Sequence, residues 1–477
     1  MYRIKSRLWC DHDFPANNTS VTGKDPEKLK KKRIDVSNPP NCRCGFRSVN
    51  RVVKLETPNK GRSYVVCATR RCKYFEWVDR ENKWSKNYQW KRFLQNGYVL
   101  VSDFGFRASD LKQGGVGDCW FLAAIAVVAE RHDLIAKLFV ETNRNESDTY
   151  GMRYFLDGEW VGTVIDGRLP TIKNARRADE TGLAFARTKS KQLWVSIIEK
   201  GYAKLHGSYF SISGGWVEEA MLDLTGAPVH TIDFSHSKFN VELFWRQLLY
   251  YKRMRFPMGC GTEQRGDLRN VGLVGCHAYS IMDVREIFDP ALEHGSVKLL
   301  RVRNPWGRTQ YTGTWSDKSA EWTQLLNRHK EIERSDEDDG LFWIDLTHFL
   351  MGFSSVDVCF ARLEKDGYHA RSFSNMFPLR KSKIRTCRDA YVVHTKVSSI
   401  LHVMALQPTG RGRWCRDDRK VSYKPGDISV LILRRENKKG ERYIVEELSM
   451  RGTVSLLHTY LLTYSLTHSL THSLTHS

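Results

Sequence analysis

The chain has 477 residues and a formal net charge of +21, and 41% of its residues are hydrophobic. That composition can fill buried cores in several domains, so it excludes a wholly disordered protein. No apolar run approaches the roughly 20 residues of a membrane-spanning helix, and the N-terminus lacks the apolar stretch of a secretory signal. We therefore expect an intracellular protein of the cytoplasm or nucleus, whose eleven cysteines are thiols, metal ligands or a nucleophile.

The first 38 residues are polar and basic. Their charge run at 24–33 predicts a flexible, solvated arm over residues 1–38, although a nuclear import signal or a nucleic-acid contact remains open. Most of the positive charge lies in the two ends of the chain, and residues 93–365 are nearly neutral. Attraction to nucleic acid or to an acidic membrane surface would therefore come from the flanking segments.

A compact block at residues 39–81 contains two close pairs of cysteines. Cys42 and Cys44 form the first pair, and Cys67 and Cys72 form the second. This spacing suits a tetrahedral zinc site of four thiolates. So short a block cannot build a sufficient core alone, and bound metal would supply the missing folding free energy. The alternative is four buried free thiols.

The same block resembles the GRF-type zinc finger, most clearly in residues 59–67 and 72–77. The resemblance implies structural zinc and contact with nucleic acid, often as single strands. Cations can follow phosphates and the neighbouring aromatic rings can stack on bases, or the rings can form the small core and the cations a solvated face. The candidate contacts are Arg47, Lys60, Arg62 and Lys73.

The region around Cys119 has the pattern of a nucleophile. A glycine-rich loop ends at Cys119, and an Ala- and Leu-rich helical pattern begins at once. A helix N-terminus stabilises thiolate, which is the attacking species. Asp118 could be an acid beside the nucleophile, but we predict that it is a loop or helix-capping residue. Gln113 could donate an amide N–H to an oxyanion beside the backbone N–H of Cys119.

A base and an orienting group follow later in the chain. Residues 275–281 predict a strand that carries His277, with Cys276 on its opposite, buried face. Residues 299–303 predict the next strand, which runs into Asn304. Consecutive strands usually pair, so Asn304 would reach His277 and hold its useful tautomer. The order Cys, His, Asn resembles that of papain-like cysteine proteases.

The segment from about residue 94 to 360 resembles the calpain protease core. The matching runs include 113–124, 199–209, 213–215, 223–226, 303–307 and 315–317. The resemblance implies an α+β, papain-like catalytic domain at 93–360, with subdomains at about 93–230 and 231–360 and a substrate cleft between them. It also implies an intracellular cysteine endopeptidase that hydrolyses protein substrates. The alternative is a catalytically silent scaffold that binds nucleic acid through its zinc finger.

Calcium binding is implied by the family but weakened by this sequence. The matching ligand positions are Gly105, through its carbonyl, and Asp110 at a first site, and Asp317 and Asp339 at a second. Three positions that carry carboxylates in the family are Gln192, Gln310 and Leu341 here. Each lost carboxylate lowers the affinity of the site for a hard cation, so we expect weak or absent calcium binding. A calcium-independent protease is therefore a further alternative.

The C-terminal quarter predicts β structure. Residues 366–457 lie where calpains carry a C2-like sandwich, but the segment is short for one, which leaves a truncated domain open. Its basic charge would suit acidic phospholipid or an acidic partner. Residues 458–477 repeat Ser-Leu-Thr-His and predict a low-complexity segment without a packing period.

Overall fold

The structure is a computed structural model that combines helices with antiparallel sheets. It describes residues 8–23, 35–42, 46–53, 61, 63–69, 75–78, 88–140, 147–172, 182–263, 268–292, 294–322, 329, 332, 339–362, 399–405, 427–435, 443–451, 456–462 and 472–476. Within these ranges no helix is long and apolar enough to cross a membrane.

The cysteine block folds as a small three-stranded antiparallel sheet. Its strands are β1 Val49–Val52, β2 Ser63–Val66 and β3 Phe75–Trp77, and β2 is central. Tyr64 and Val65 of the central strand are buried. So small an apolar core does not stabilise the block alone, and its independent folding would need a cross-link such as a bound metal.

Residues 8–23 pack against the catalytic domain. The ring of Phe14 lies 6.0 Å from that of Tyr209. The carboxylate of Asp11 accepts hydrogen bonds from Lys204 Nζ at 2.8 Å. The prediction of a solvated arm is therefore wrong for this part, because its apolar and acidic side chains find buried partners. The charge run that suggested the arm lies outside the described residues.

The N-terminal half of the catalytic domain surrounds the helix Cys119–Ala129, in which every residue after Cys119 is buried. A helix that is apolar on all sides belongs at the centre of a core. The strands of this half are β4 Tyr88–Lys91, β5 Leu111–Lys112, β6 Thr149–Leu156, β7 Glu159–Asp166, β8 Leu169–Ile172 and β9 Arg187–Thr188. The remaining described α-helices up to residue 225 are Asn18–Thr22, His132–Ile135, Trp194–Leu205 and Val217–Thr225, and short 3-10 helices lie at Leu94–Asn96, Ala108–Asp110, Ala136–Leu138 and Phe210–Ile212.

The C-terminal half is built on one antiparallel sheet of six strands. Its strands are β10 Val229–Asp233, β11 Met258–Gly261, β12 Ala278–Phe288, β13 Ser296–Arg303, β14 Leu341–Asp345 and β15 Ser355–Cys359, and its described helices are Val241–Arg253 and Leu346–Gly352. The spatial order is β10-β15-β11-β12-β13-β14. The consecutive strands β12 and β13 are therefore neighbours, as the sequence predicts. A separate apolar core fills this half, which supports two subdomains.

The C-terminal quarter contains the predicted β structure. Its described strands are β16 Ser399–Ala405, β17 Asp427–Arg435, β18 Tyr443–Arg451, β19 Leu456–Leu462 and β20 His472–His476. The strand β16 pairs with β19, and β17 lies between β18 and β20. Strand structure thus continues past residue 457 into the predicted low-complexity segment, whereas the C2-like topology stays a prediction.

Candidate active site

Cys119 is the first residue of the central helix of the N-terminal half. The loop before it packs tightly, because a Cβ atom on Gly114 would lie 2.3 Å from Cα of Phe185. Asp118 occupies the N-cap position, yet its side chain makes no capping hydrogen bond. Its backbone carbonyl accepts the N–H groups of the first helical turn instead. Asp118 therefore lies in the predicted capping position and caps the helix through its backbone, while its carboxyl group has a different environment.

His277 and Asn304 meet at the ends of two paired strands. His277 directly precedes β12, and Asn304 directly follows β13. His277 Nε2 lies 2.8 Å from Asn304 Oδ1. The amide orientation is fixed by two more bonds, from Trp306 N to Oδ1 at 3.1 Å and from Nδ2 to Thr309 O at 3.0 Å. Since Oδ1 only accepts, Nε2 carries the proton and Nδ1 has a free lone pair.

The central helix brings the thiol to the same place. It packs on β12, where Ser280 Oγ donates to Ala123 O at 2.9 Å. The backbone N–H of Ala278 forms a hydrogen bond to the sulfur of Cys119. Ala278 directly follows His277. The thiol of the N-terminal half and the imidazole of the C-terminal half therefore lie together at the boundary between the halves.

Desolvation favours the neutral form of both groups in the substrate-free site, in which His277 is buried and Cys119 is partly buried. It raises the pKa of the Cys119 thiol to about 11, against the lowering effect of the Ala278 N–H. It also lowers the pKa of His277 to about 4, against the raising effect of the bond to Asn304. Desolvation thus outweighs the stabilisation of thiolate that the helix N-terminus predicts. A neutral imidazole is the form that can accept the thiol proton.

The side chain of Gln113 is turned into its own loop. Its Nε2 donates to Val116 O at 2.8 Å and to Asp118 Oδ1 at 3.2 Å. Its Oε1 is buried without a hydrogen-bond partner among the described residues. Its backbone N–H donates to Pro305 O of the other half at 3.0 Å. The oxyanion contact predicted for Gln113 therefore requires its amide to turn and stays a prediction.

The first calcium position is occupied by a chain of protein hydrogen bonds. Gln192 Oε1 accepts from Ser102 N at 2.8 Å, and its Nε2 donates to Ser190 Oγ at 3.0 Å. Ser190 Oγ donates to Asp110 Oδ2 at 3.0 Å. An amide N–H therefore stands where the family has a carboxylate, and it cannot ligate a cation. Gly105, the other matching residue, has a left-handed φ of +73°.

The second calcium position is also held by protein donors. Asp339 Oδ1 accepts from Leu341 N at 2.9 Å and from Gln310 Nε2 at 3.4 Å. Asp317, the other matching residue, is buried. The described residues contain no group of three or more His, Cys, Asp or Glu side chains that could hold a metal ion. At the first position an amide N–H replaces a carboxylate, and at the second two N–H groups bond to Asp339, so weakened calcium binding stays our prediction.

The finger fits zinc where the structure describes it. The sulfurs of buried Cys42 and Cys67 are 3.6 Å apart. Two thiolates at about 2.3 Å from a tetrahedral zinc are separated by about 3.8 Å, so the pair matches one edge of such a site. The other two predicted ligands, Cys44 and Cys72, lie outside the described residues. Zinc bound there would cross-link the ends of the finger and play no part in hydrolysis.

Among the predicted nucleic-acid contacts, the structure describes Arg47, which is exposed and donates to Asn38 Oδ1 at 2.6 Å. Lys60, Arg62 and Lys73 lie outside the described residues.

The finger also contacts the catalytic domain beside His277. Tyr64 Oη lies 4.0 Å from Cys276 Sγ. Cys276 is exposed and has a left-handed φ of +52°. The prediction that Cys276 lies in the core is wrong, because β12 begins only at Ala278 and the alternation of a strand does not extend back to it.

Two buried charged residues of the site were not singled out from the sequence. Arg303 Nη2 donates across the boundary between the halves to Leu111 O at 2.6 Å and to Ser109 O at 3.2 Å. Glu199 lies in the helix Trp194–Leu205 and faces Asp118. Arg303 could have been found by its place directly before Asn304, whereas no spacing in the sequence points to Glu199.

Two protein-family models match the chain. The family model for the calpain family cysteine protease matches residues 68–360, and the model for the GRF zinc finger matches residues 40–81.

Three relatives show the extent of the similarity. The calpain-type cysteine protease DEK1 of Zea mays is 38% identical over 259 residues, which are 53% of this chain and 11% of the relative. Calpain-14 of Homo sapiens is 35% identical over 256 residues, 52% of this chain and 35% of the relative. Calpain-A of Drosophila melanogaster is 32% identical over 292 residues, 59% of this chain and 34% of the relative.

The chain thus spans about a tenth of the plant relative and about a third of the two animal relatives. The family model covers more than half of this chain. The chain belongs to the calpain family of cysteine proteases, and a GRF zinc finger precedes its catalytic domain.

Proposed function

We propose that the chain is a cysteine endopeptidase in which Cys119 is the nucleophile, His277 the general base and acid, and Asn304 the group that orients His277. The observation that carries the proposal is the 2.8 Å hydrogen bond between His277 and Asn304. It is fully buried and lies beside a thiol at a helix N-terminus. Cys119 begins a helix, His277 directly precedes β12 and Asn304 directly follows β13, and these positions support the assignment.

The reaction begins with proton transfer and attack. The Nδ1 atom of His277 accepts the thiol proton as Cys119 Sγ forms a bond to the carbonyl carbon of the scissile peptide. The imidazolium then gives that proton to the leaving amine as the C–N bond breaks, which leaves an acyl-enzyme. Water, deprotonated by His277, attacks the thioester and releases the second product and the free thiol.

The developing oxyanion needs donors in the same loop. The backbone N–H of Cys119 and the Gln113 side chain are our candidates, because both lie at the start of the central helix. For Gln113 this role requires exchange of its bond to Val116 O for a bond to the substrate. The backbone bond from Gln113 to Pro305 would keep the loop in place during that exchange.

The two halves carry protein contacts that can align them without calcium. Arg303 bonds across the boundary to Leu111 O and Ser109 O, and Gln113 N donates across it to Pro305 O. Within the N-terminal half, Gln192 links Ser102 to Ser190 at the first calcium position. We therefore propose that turnover does not require calcium. Arg303 is fully buried, and burial lowers the pKa of its guanidinium to about 10, so it remains charged at neutral pH.

The test is hydrolysis of a fluorogenic peptide by the full chain and by Cys119→Ala, each with calcium and with a calcium chelator. We expect turnover by the unmodified chain under both conditions and none by Cys119→Ala. Circular dichroism of both proteins controls for folding. Folded, unmodified chain without Cys119-dependent turnover would favour the silent scaffold, and turnover only with calcium would refute the ion-free alignment.

The finger has one feature that favours nucleic-acid binding as a second function. Phe46 is 49% exposed and directly precedes the exposed Arg47, which places an aromatic ring beside a cation on the surface. We expect Phe46→Ala together with Arg47→Ala to weaken binding of a labelled single-stranded oligonucleotide about tenfold or more in fluorescence anisotropy. Equal affinity of the variant and the unmodified chain would contradict this role.

A further inference from the structure

A pair of buried carboxyl groups lies directly behind the nucleophile. Asp118 is the residue before Cys119 and is fully buried, and Glu199 is 1% exposed. Their carboxyl groups face each other, and each shifts the pKa of the other. Both belong to the N-terminal half, but the chain separates them by the whole of β6 to β9. The contact is therefore a product of the fold and not of local sequence.

The hydrogen bonds that the pair makes to other residues allow one proton to lie between the two carboxyl groups. Asp118 Oδ1 accepts from Gln113 Nε2 at 3.2 Å, and Asp118 Oδ2 has no donor from any other described residue. The two oxygens of Glu199 accept from Ala186 N at 3.2 and 3.1 Å. Two carboxylates cannot bond to each other, whereas a carboxylic acid and a carboxylate can.

The surroundings supply little charge to hold two carboxylates. Arg187 in β9 acts on Glu199 from the neighbouring strand, and the buried hydroxyl of Tyr209 and the thiol of Cys119 are the other titratable groups that face the pair. Two adjacent, buried negative charges would cost several kcal/mol, so the pair is stable with a single negative charge. In agreement, burial raises the pKa of Asp118 to about 6 and the pKa of Glu199 well above its ordinary value.

We propose that Asp118 and Glu199 share one proton and act as a positioning pair for the nucleophile loop. The shared proton bonds the loop to the helix Trp194–Leu205, and the remaining charge accepts the Gln113 amide. Glu199 is the positioning residue in this pair, since it acts on Cys119 and Gln113 only through Asp118. Loss of the proton would place a second negative charge behind Cys119 and would disfavour its thiolate.

Two variants of Glu199 separate this role from simple packing. Glu199→Gln keeps an acceptor for Ala186 N and has an N–H for Asp118 that no pH change removes. Glu199→Ala leaves Asp118 Oδ2 without a donor, keeps the bond from Gln113 to Asp118 Oδ1, and opens a cavity. Glu242→Gln, an exposed glutamate of the other half, is the matched control for the loss of one carboxylate.

The inference rests on the proposed peptidase for one readout, and a second readout is independent of turnover. The first is kcat/KM on a fluorogenic peptide between about pH 5 and 10. The second is the rate at which iodoacetamide alkylates Cys119 over the same range, followed by mass spectrometry of its peptide. If the peptidase proposal is wrong, the unmodified chain will show no turnover, but the alkylation rate of its Cys119 can still be measured.

We expect Glu199→Ala to lose about 10²-fold in kcat/KM and Glu199→Gln to recover most of that loss. We also expect the Cys119 thiol of Glu199→Gln to titrate at lower pH than in the unmodified chain, because the second charge can no longer form. Glu242→Gln should reproduce the unmodified profile. Alkylation profiles of Glu199→Gln and the unmodified chain that superimpose would overturn the proposal, even if Glu199→Ala fails to fold.

Discussion

Replacing Asn304 with alanine tests how the catalytic base is held. The change removes the acceptor of His277 Nε2 at 2.8 Å and of Trp306 N at 3.1 Å, and the donor to Thr309 O at 3.0 Å. General acid–base catalysis contributes typically about 10²–10⁴-fold to a rate. The rings of Tyr279 and Trp306, centred 4.9 and 4.7 Å from the imidazole, still restrict its position. We therefore expect kcat to fall by about 10²–10³-fold with a small change in KM.

The same change should cost stability. Each buried polar group that loses its partner costs about 1–3 kcal/mol. Water can enter the space left by the amide and satisfy part of this loss. We expect a decrease of about 2–4 kcal/mol in the free energy of unfolding, measured by urea denaturation in a Cys119→Ala background, in which self-cleavage through Cys119 is removed.

Asn304→Asp is compared with Asn304→Ala, because it keeps an acceptor for His277 and adds a negative charge. The charge favours the imidazolium and so raises the pKa of His277 above the value of about 4 that burial gives it. His277 must be neutral to accept the thiol proton, so the acid limb of the kcat profile should move to higher pH. Turnover by folded Asn304→Ala within threefold of the unmodified chain would refute the orienting role.

Two further predictions concern the ion pair and the calcium positions of the N-terminal half. Lys200→Met should lower the free energy of unfolding by about 1–3 kcal/mol, because it removes the buried cation 2.7 Å from Asp166 and leaves that carboxylate with Arg168 as its remaining cation. Lys204→Met, at a more exposed pair, should cost less, and equal urea midpoints would contradict this. Gln192→Glu should reduce turnover in chelator and recover it with calcium, because a carboxylate cannot donate to Ser190 Oγ and restores a calcium ligand. An activity indifferent to both changes would show that the order of this loop of the N-terminal half does not control turnover.

The sequence predicts contacts well where they follow from neighbouring strands. His277 and Asn304 are 27 residues apart, but they end two consecutive strands that pair, so local pattern and the preference for adjacent pairing are sufficient. The start of the Cys119 helix is equally local, since a glycine-rich loop gives way to an apolar helical run. These features need no knowledge of the tertiary structure.

The sequence does not predict an environment that a distant partner decides. Asp118 has the residue type and position of a helix cap, but its side chain bonds to Gln113 and faces Glu199 instead. The segment at residues 8–23 reads as polar, yet Phe14 and Asp11 are buried against residues nearly 200 positions away. No periodicity records such contacts, because they depend on how separate elements pack.

Alignment of the two halves and orientation of the base are carried by one short run of residues. Arg303 bonds to the loop at Ser109 and Leu111, Asn304 holds His277, and Pro305 O accepts the backbone N–H of Gln113. A shift of the N-terminal half would therefore pull on the residues that flank Asn304 on both sides. We expect His277 to be oriented for catalysis only when the nucleophile loop is in place. In this chain that coupling uses protein hydrogen bonds, which explains how the catalytic arrangement can persist although carboxylate ligands of both calcium positions have been replaced.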